Sequence, residues 1–217
     1  MLKVFNNRTE HTHENEQFRR VAEIIEISFN KYGYNGILIG NPFNETYYRF
    51  RADAILYYSN GLILIDFKDY KGIIKLPQNS NEFSSNKWYN ESINDRTRLE
   101  IKAGASFINP FRQLVSYRNA FREILENNKY LNGINPARVC IANIFSGPIE
   151  VHNEVPRNLP YYKLIQESDL SNFLYDFASE NTYKEDIAKV LKSIFPAEKW
   201  IKNIEISIPE PAIEKRI

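Results

Sequence analysis

Two apolar runs, Tyr47 to Tyr58 and Leu62 to Phe67, stand on either side of Asn60-Gly61, and this stretch constrains the fold more than any other. Both central residues of a type I′ turn need positive φ, which Asn and Gly tolerate best, so the sequence predicts a hairpin of two long strands. With Asn60 and Gly61 as its loop residues, Ser59 pairs with Leu62, and continuing down the ladder Asp53 faces Lys68. Asp66 precedes Lys68 by two, and side chains two apart in a strand share a face. Asp53, Asp66 and Lys68 are therefore expected to converge at the open end of the hairpin. A loop one residue longer on one side would turn one strand over and break that convergence.

Two carboxylates and an ammonium at the end of apolar strands are not what a core needs, because ionised groups beside apolar layers are costly unless paired or bound to metal. Carboxylates are the hard oxygen ligands that Mg²⁺ or Mn²⁺ prefers. The lysine can orient or help deprotonate an attacking water, or stabilise charge developing on a phosphoryl oxygen. Together they fit metal-dependent phosphodiester hydrolysis, and a cross-strand salt bridge closing the hairpin is the alternative for the same residues.

Around this centre the chain reads as an α/β layered domain. Phe18, Val21, Ala22, Ile25 and Phe29 recur at three and four, predicting a helix over 12–29, and Gly33 to Leu38 follows as a strand. Pro77 to Arg98, polar and broken only by Phe83, Trp88 and Tyr89, reads as a long excursion, and loops of that length tend to be functional or mobile. Asn109-Pro110 opens a helix to about Asn127, with Asn as cap and Pro in the first turn. Arg138 to Phe145 and Tyr161 to Ile165 are strands and Asp169 to Phe177 a helix; Thr182 to Glu185 forms a capping box for a last helix. The tail from Ile204, with two prolines, is read as extended or as leading into a further domain.

With 217 residues, a single domain is expected. At 43% hydrophobic and 25% charged residues, wholesale disorder is excluded. Lys+Arg 28 against Asp+Glu 27 leaves a net charge of +1, so a nucleic-acid partner needs a local basic surface. The single cysteine, Cys140, sits in an apolar strand and points to a reducing compartment. No signal-like or membrane-spanning run is present, so a soluble, cytoplasmic protein without a membrane partner is expected.

The hairpin residues resemble the PD-(D/E)xK phosphodiesterase superfamily. More specifically, Ala52-Asp53-Ala-Ile-Leu, Gly61-Leu-Ile-Leu-Ile-Asp66-Phe67-Lys68-Asp69-Tyr70-Lys71-Gly72, Trp88 and the run Gly104 to Leu114, with its Asn109-Pro-Phe-Arg-Gln113, look like the nuclease-related domain (NERD). The resemblance covers roughly 14–145. It implies a restriction-endonuclease-like core (helix, strand, long hairpin, helix, strand) over 12–147, with 148–217 as an extension packed on it in one domain of 1–217. It also implies a Mg²⁺- or Mn²⁺-dependent nuclease acting on single- or double-stranded DNA, with a helicase domain or subunit as partner and association of two copies as an option. The alternative is a non-catalytic nucleic-acid-binding or docking module beside a helicase.

Residue by residue, the resemblance assigns Asp53 and Asp66 to the metal, with the Phe67 carbonyl as a further ligand, and Lys68 to the water. Gln113 matches the glutamine of the helix near the site, and Tyr117 completes a Gln-x-x-x-Tyr spacing that shares a helix face. Many superfamily members add a glutamate from the first helix; extending the apolar stripe backwards by four lands on Glu14, with Glu16 second, while a solvated acid at a helix start is the plain alternative. Arg49, Arg51, Arg112, Arg118 and Arg122 are candidates for phosphate contacts, or scattered surface arginines. Trp88 and Tyr89 are candidates for stacking on unpaired bases, or for anchoring the loop. His11 and His13 invite a zinc reading, but with His152 the only other histidine the soft ligands are too few.

Overall fold

The computed structural model describes residues 1–9, 12–58, 61–77, 79–92, 94, 96–104, 106–178 and 183–200. From the amino end, β1 (Leu2–Asn6) is followed by α1 (Thr12–Tyr32), β2 (Gly36–Gly40), β3 (Ala54–Tyr58), β4 (Gly61–Lys68), β5 (Gly72–Lys75), α2 (Ser80–Phe83), β6 (Tyr89–Glu91) and β7 (Arg98–Glu100). Then come α3 (Pro110–Glu126), β8 (Val139–Phe145), β9 (Ile149–His152), β10 (Tyr162–Gln166), α4 (Leu170–Phe177), α5 (Glu185–Ile194) and β11 (Glu198–Lys199).

Seven strands form one mixed sheet in the order β10-β8-β4-β3-β2-β1-β11. The central strand β4 runs parallel to β8 and antiparallel to β3. Its alternate side chains divide between two apolar layers. Leu62 and Leu64 face Phe111, Leu114, Tyr117 and Phe121 of α3, while Ile63, Ile65 and Phe67 face Phe18, Val21, Ile25 and Phe29 of α1. Burying each such side chain contributes roughly 1.5–3 kcal/mol, which is why the amphipathic stripes read from the sequence settle on opposite faces of the sheet. The chain is thus mixed α/β.

Several elements differ from the sequence expectation. Gly33, at φ +72, ends α1 in a left-handed conformation, and the Tyr34 N–H donates back to the Phe29 carbonyl at 2.9 Å. The strand expected from Gly33 therefore starts at Gly36, and α1 runs to Tyr32. The first hairpin strand is Ala54–Tyr58 only, since residues 46–49 form a turn over the Asn44 side chain, which accepts from the N–H groups of Thr46 and Tyr47. The register also differs: Tyr58 pairs with Gly61 and Ala54 with Ile65, so Asp53 continues opposite Asp66 instead of Lys68. Asn60, half of the expected turn, lies outside the described residues. This slip of two preserves side-chain parity, so the burial pattern that forbids a slip of one could not distinguish the two registers.

The polar excursion is structured. β5, β6 and β7 join β9 in a second sheet, ordered β7-β6-β5-β9, whose strands of three and four residues are too short to stand out by periodicity. Strands β1, β9 and β11 were likewise without a signal. Helix α3 matches its expected start: Asn109 caps it, its side chain accepting the Arg112 N–H at 2.9 Å. Helix α5 begins at Glu185 with Lys184 in the cap position; Thr182, the expected cap, lies outside the described residues, as does the tail from Ile204. No helix among the described residues is long and apolar enough to cross a membrane.

Candidate active site

Strand β4 ends on Asp66-Phe67-Lys68, and its partners hold this end in place. Asp53, just before β3, donates its N–H to the Ile65 carbonyl at 2.9 Å and accepts the Phe67 N–H on its carboxylate at 2.6 Å. Asp53, Asp66 and Lys68 share the sheet face covered by α3. The Lys68 ammonium is 2.8 Å from the Asp66 carboxylate and donates to Gln113 Oε1 at 3.4 Å. That oxygen also accepts the Gly104 N–H at 3.0 Å, and the Gln113 amide donates to the Tyr117 hydroxyl at 3.2 Å. The i, i+4 spacing of Gln113 and Tyr117 thus acts as expected, with both side chains on one face of α3.

Electrostatically the cluster is crowded with negative charge. Burial raises the Asp53 carboxyl well above the usual carboxylate range, and the charge of Asp66 adds to the shift; the Phe67 N–H and Lys68 oppose it. Burial likewise raises Asp66, against the pull of Lys68 and of the Asn143 amide. For Lys68, burial disfavours the ammonium, but Asp66 and Asp53 outweigh it, and its pKa is raised. The lysine is accordingly a cation in this arrangement.

Among the described residues, no group of three His, Cys, Asp or Glu side chains is arranged to enclose a metal ion. Glu14 lines a small cleft with Asp53, Phe67, Asn6, Thr9 and Asn41, and its charge contributes to raising Asp53. It stands beside the two aspartates without completing a three-carboxylate cage. The donor set is thus two aspartates, which suits a cation such as Mg²⁺ that keeps several waters and binds through one or two carboxylates. His11 lies outside the described residues.

The surface candidates divide. Arg51 and Arg112 are exposed, as are Arg49 and Arg122. Arg118 is not available to phosphate: it is buried over the Tyr161 ring and donates to the carbonyls of Val139, Pro136 and Ala137. Trp88 corrects its assignment as a base-stacking residue. It is 0% exposed, packs on Phe83 and Tyr162, and donates its indole N–H to the Phe83 carbonyl, so it anchors the excursion to the domain. Tyr117 is corrected in the same way. At 7% exposure, with its ring edge-on to Phe50 and Phe107, it supports Gln113 from inside and offers nucleic acid no surface.

Asn143 and Tyr162 belong to the site but had no place in the sequence argument. Asn143 pairs with Asp66 across β8 and β4 and donates to its carboxylate at 2.5 Å, and the Tyr162 hydroxyl donates to Asn143 Oδ1 at 2.7 Å. All three are buried. The available signal was Asn143 itself, a lone amide within the apolar Val139-Cys-Ile-Ala-Asn-Ile-Phe145, where an unpartnered side chain would be costly.

Compared with protein-family models, residues 11–143 match the one described as nuclease-related domain, which covers well over half of the chain. No curated protein and no solved structure matches it.

Proposed function

Because the chain belongs to the nuclease-related domain (NERD) family, we propose that it is a divalent-metal-dependent nuclease that hydrolyses phosphodiester bonds in DNA on a restriction-endonuclease-like core. One observation carries this reading: a half-buried aspartate, Asp53, a buried one, Asp66, and the buried Lys68 meet at the end of the central strand, on one face, in a crowding of negative charge that a cation would relieve. Asp53 and Asp66 would hold Mg²⁺ or Mn²⁺, with the Phe67 carbonyl as a third protein donor. When bound, the cation supplies Lewis acidity, making water more acidic and neutralising charge on the phosphoryl group.

The protein's own groups do the rest. Lys68, kept charged by Asp66 and Asp53, donates hydrogen bonds to the incoming water and to the phosphoryl oxygens, and its charge stabilises the transition state. Gln113 accepts from Lys68 and fixes the side chain in one rotamer. Asn143, itself held by Tyr162, keeps the Asp66 carboxylate oriented. Arg51 and Arg112, exposed and free of salt bridges among the described residues, are the phosphate-binding candidates.

The test is cleavage of end-labelled single-stranded DNA, duplex DNA and RNA with Mg²⁺, Mn²⁺ or EDTA, beside Lys68→Met. Metal-dependent products that disappear in a variant still folded by circular dichroism support the assignment. Products at the wild-type rate from Lys68→Met would remove the lysine from the reaction.

A further inference from the structure

The loop between β2 and β3 carries an aromatic surface that the nuclease chemistry does not use. Among the described residues, the exposed aromatic side chains are Phe43, Tyr48, Tyr130 and Tyr175, and two of these four lie on this one loop, at 40% and 58% exposure. Each carries an arginine: the Arg51 guanidinium is 5.0 Å from the Phe43 ring centre and that of Arg49 is 5.8 Å from Tyr48. Arg51 also donates to the Tyr48 carbonyl at 3.0 Å, tying the two rings into one patch. Neither arginine is in a salt bridge among the described residues.

The loop is anchored by packing and starts and ends beside the candidate site. Phe50 and Ala52 of the same loop are buried, Phe50 against Phe121 and Phe195. The Asn44 side chain caps the turn and donates to the Ile194 carbonyl at 2.7 Å. At the base of the loop the Asn41 N–H donates to the Asp53 carbonyl at 2.7 Å, so both ends of the loop meet at Asp53. A loop that buries one aromatic and presents two others beside arginines that form no salt bridge among the described residues suits a ligand that is flat, apolar on its faces and negatively charged along its edge. Nucleotide bases on a phosphate backbone have that chemistry, and only unpaired ones expose their faces.

We propose that Phe43 and Tyr48, with Arg49 and Arg51, form a stacking platform for unpaired nucleotides of the strand that enters the Asp53–Asp66–Lys68 site. Single-stranded DNA, or a frayed or overhanging end, is then the preferred substrate. The inference rests on the nuclease reading and adds the form of the DNA to it.

The experiment measures binding of a fluorescein-labelled single-stranded oligonucleotide and its duplex by anisotropy, with Ca²⁺ in place of Mg²⁺, to the full chain and to Phe43→Ala/Tyr48→Ala. Cleavage of both substrates is followed with Mg²⁺ or Mn²⁺. Stacking is worth roughly tenfold per ring, so the double variant should bind the single strand on the order of 100-fold more weakly and the duplex nearly unchanged. Phe43→Trp/Tyr48→Trp should retain single-strand affinity, and unchanged melting temperatures show that the folds are intact. Wild-type single-strand affinity in the alanine variant overturns the platform; if that variant still cuts, the nuclease reading stands. Equal losses on single strand and duplex also overturn it, since they mean a backbone contact. If the wild-type chain neither binds nor cuts any DNA, the nuclease reading fails first and the platform with it.

Discussion

Replacing Asp53 by asparagine should make the metal-free protein more stable, while replacing Lys68 by methionine should make it less so. The reason lies in the balance of charge. Asp53, Asp66 and Glu14 stand against one ammonium, and Lys68 is committed to Asp66 at 2.8 Å. Asp53 has one peptide N–H, from Phe67 at 2.6 Å, which an asparagine oxygen can still accept. Removing a half-buried, under-compensated charge with little change of volume relieves its desolvation and repulsion, and the partial exposure of Asp53 keeps the gain at about 1–2 kcal/mol. For a chain of this size that is roughly 2–8 °C in melting temperature. Lys68→Met strips the carboxylates of their cation and should lower stability by about 3 kcal/mol.

The pH dependence fixes the sign independently. Burial raises the folded-state pKa of Asp53 well above its unfolded value, so between the two the native state holds the extra proton and stability falls as pH rises. The Asp53→Asn gain should therefore grow as pH rises above the ordinary carboxylate range and shrink as pH falls towards it. Thermal melts by circular dichroism in EDTA at several pH values measure both effects. An Asp53→Asn variant that melts at or below the wild-type temperature at the alkaline end of the series, or whose gain does not shrink on acidification, would refute the account of Asp53 as a charge the fold carries at a cost.

Calorimetric Mn²⁺ affinity should fall on acidification before ordinary carboxylates titrate, because Asp53 must lose its proton to act as a ligand and burial has raised its pKa; affinity flat down to the usual carboxylate range would contradict this. Asn143→Leu should weaken Mn²⁺ binding about 10–100-fold by freeing the Asp66 carboxylate, with Tyr162→Phe giving a smaller loss of the same sign; an unchanged titration would remove both from the site. Asn109→Ala should cost about 2–4 kcal/mol in urea unfolding, since it removes the cap of α3, takes the amide donor from the Asn86 carbonyl and leaves the Phe83 carbonyl with only the Trp88 indole; a loss under about 1 kcal/mol would mean that water replaces the side chain.

What could be read from the sequence was what local physics determines. The α1 and α3 stripes, the Asn109-Pro110 start and the apolar β8 each follow from periodicity or capping within one segment, and each is where it was expected. The convergence of Asp53, Asp66 and Lys68 was legible because it depends only on parity, and parity survived a register slip of two. What parity does not determine is which residue stands opposite which. Asp53 was expected across from Lys68, as a salt bridge would require, and instead lies across from Asp66, a like charge.

That difference alters the chemistry, because opposing aspartates repel each other while together making a ligand pair, and a hairpin-closing ion pair would have no need of either. The second sheet and the burial of Trp88 were invisible for a related reason. Their strands are short and polar, and their apolar anchor packs on Phe83 and Tyr162, the latter far along the chain, so nothing within one segment announced it. Asn143 lies between the two cases: its setting marked it as anomalous, but only pairing β8 with β4 says that the partner it needs is Asp66. An unexplained polar residue in an apolar strand is thus a signal whose meaning depends on topology, and here the topology makes it a support for the one carboxylate that also holds Lys68.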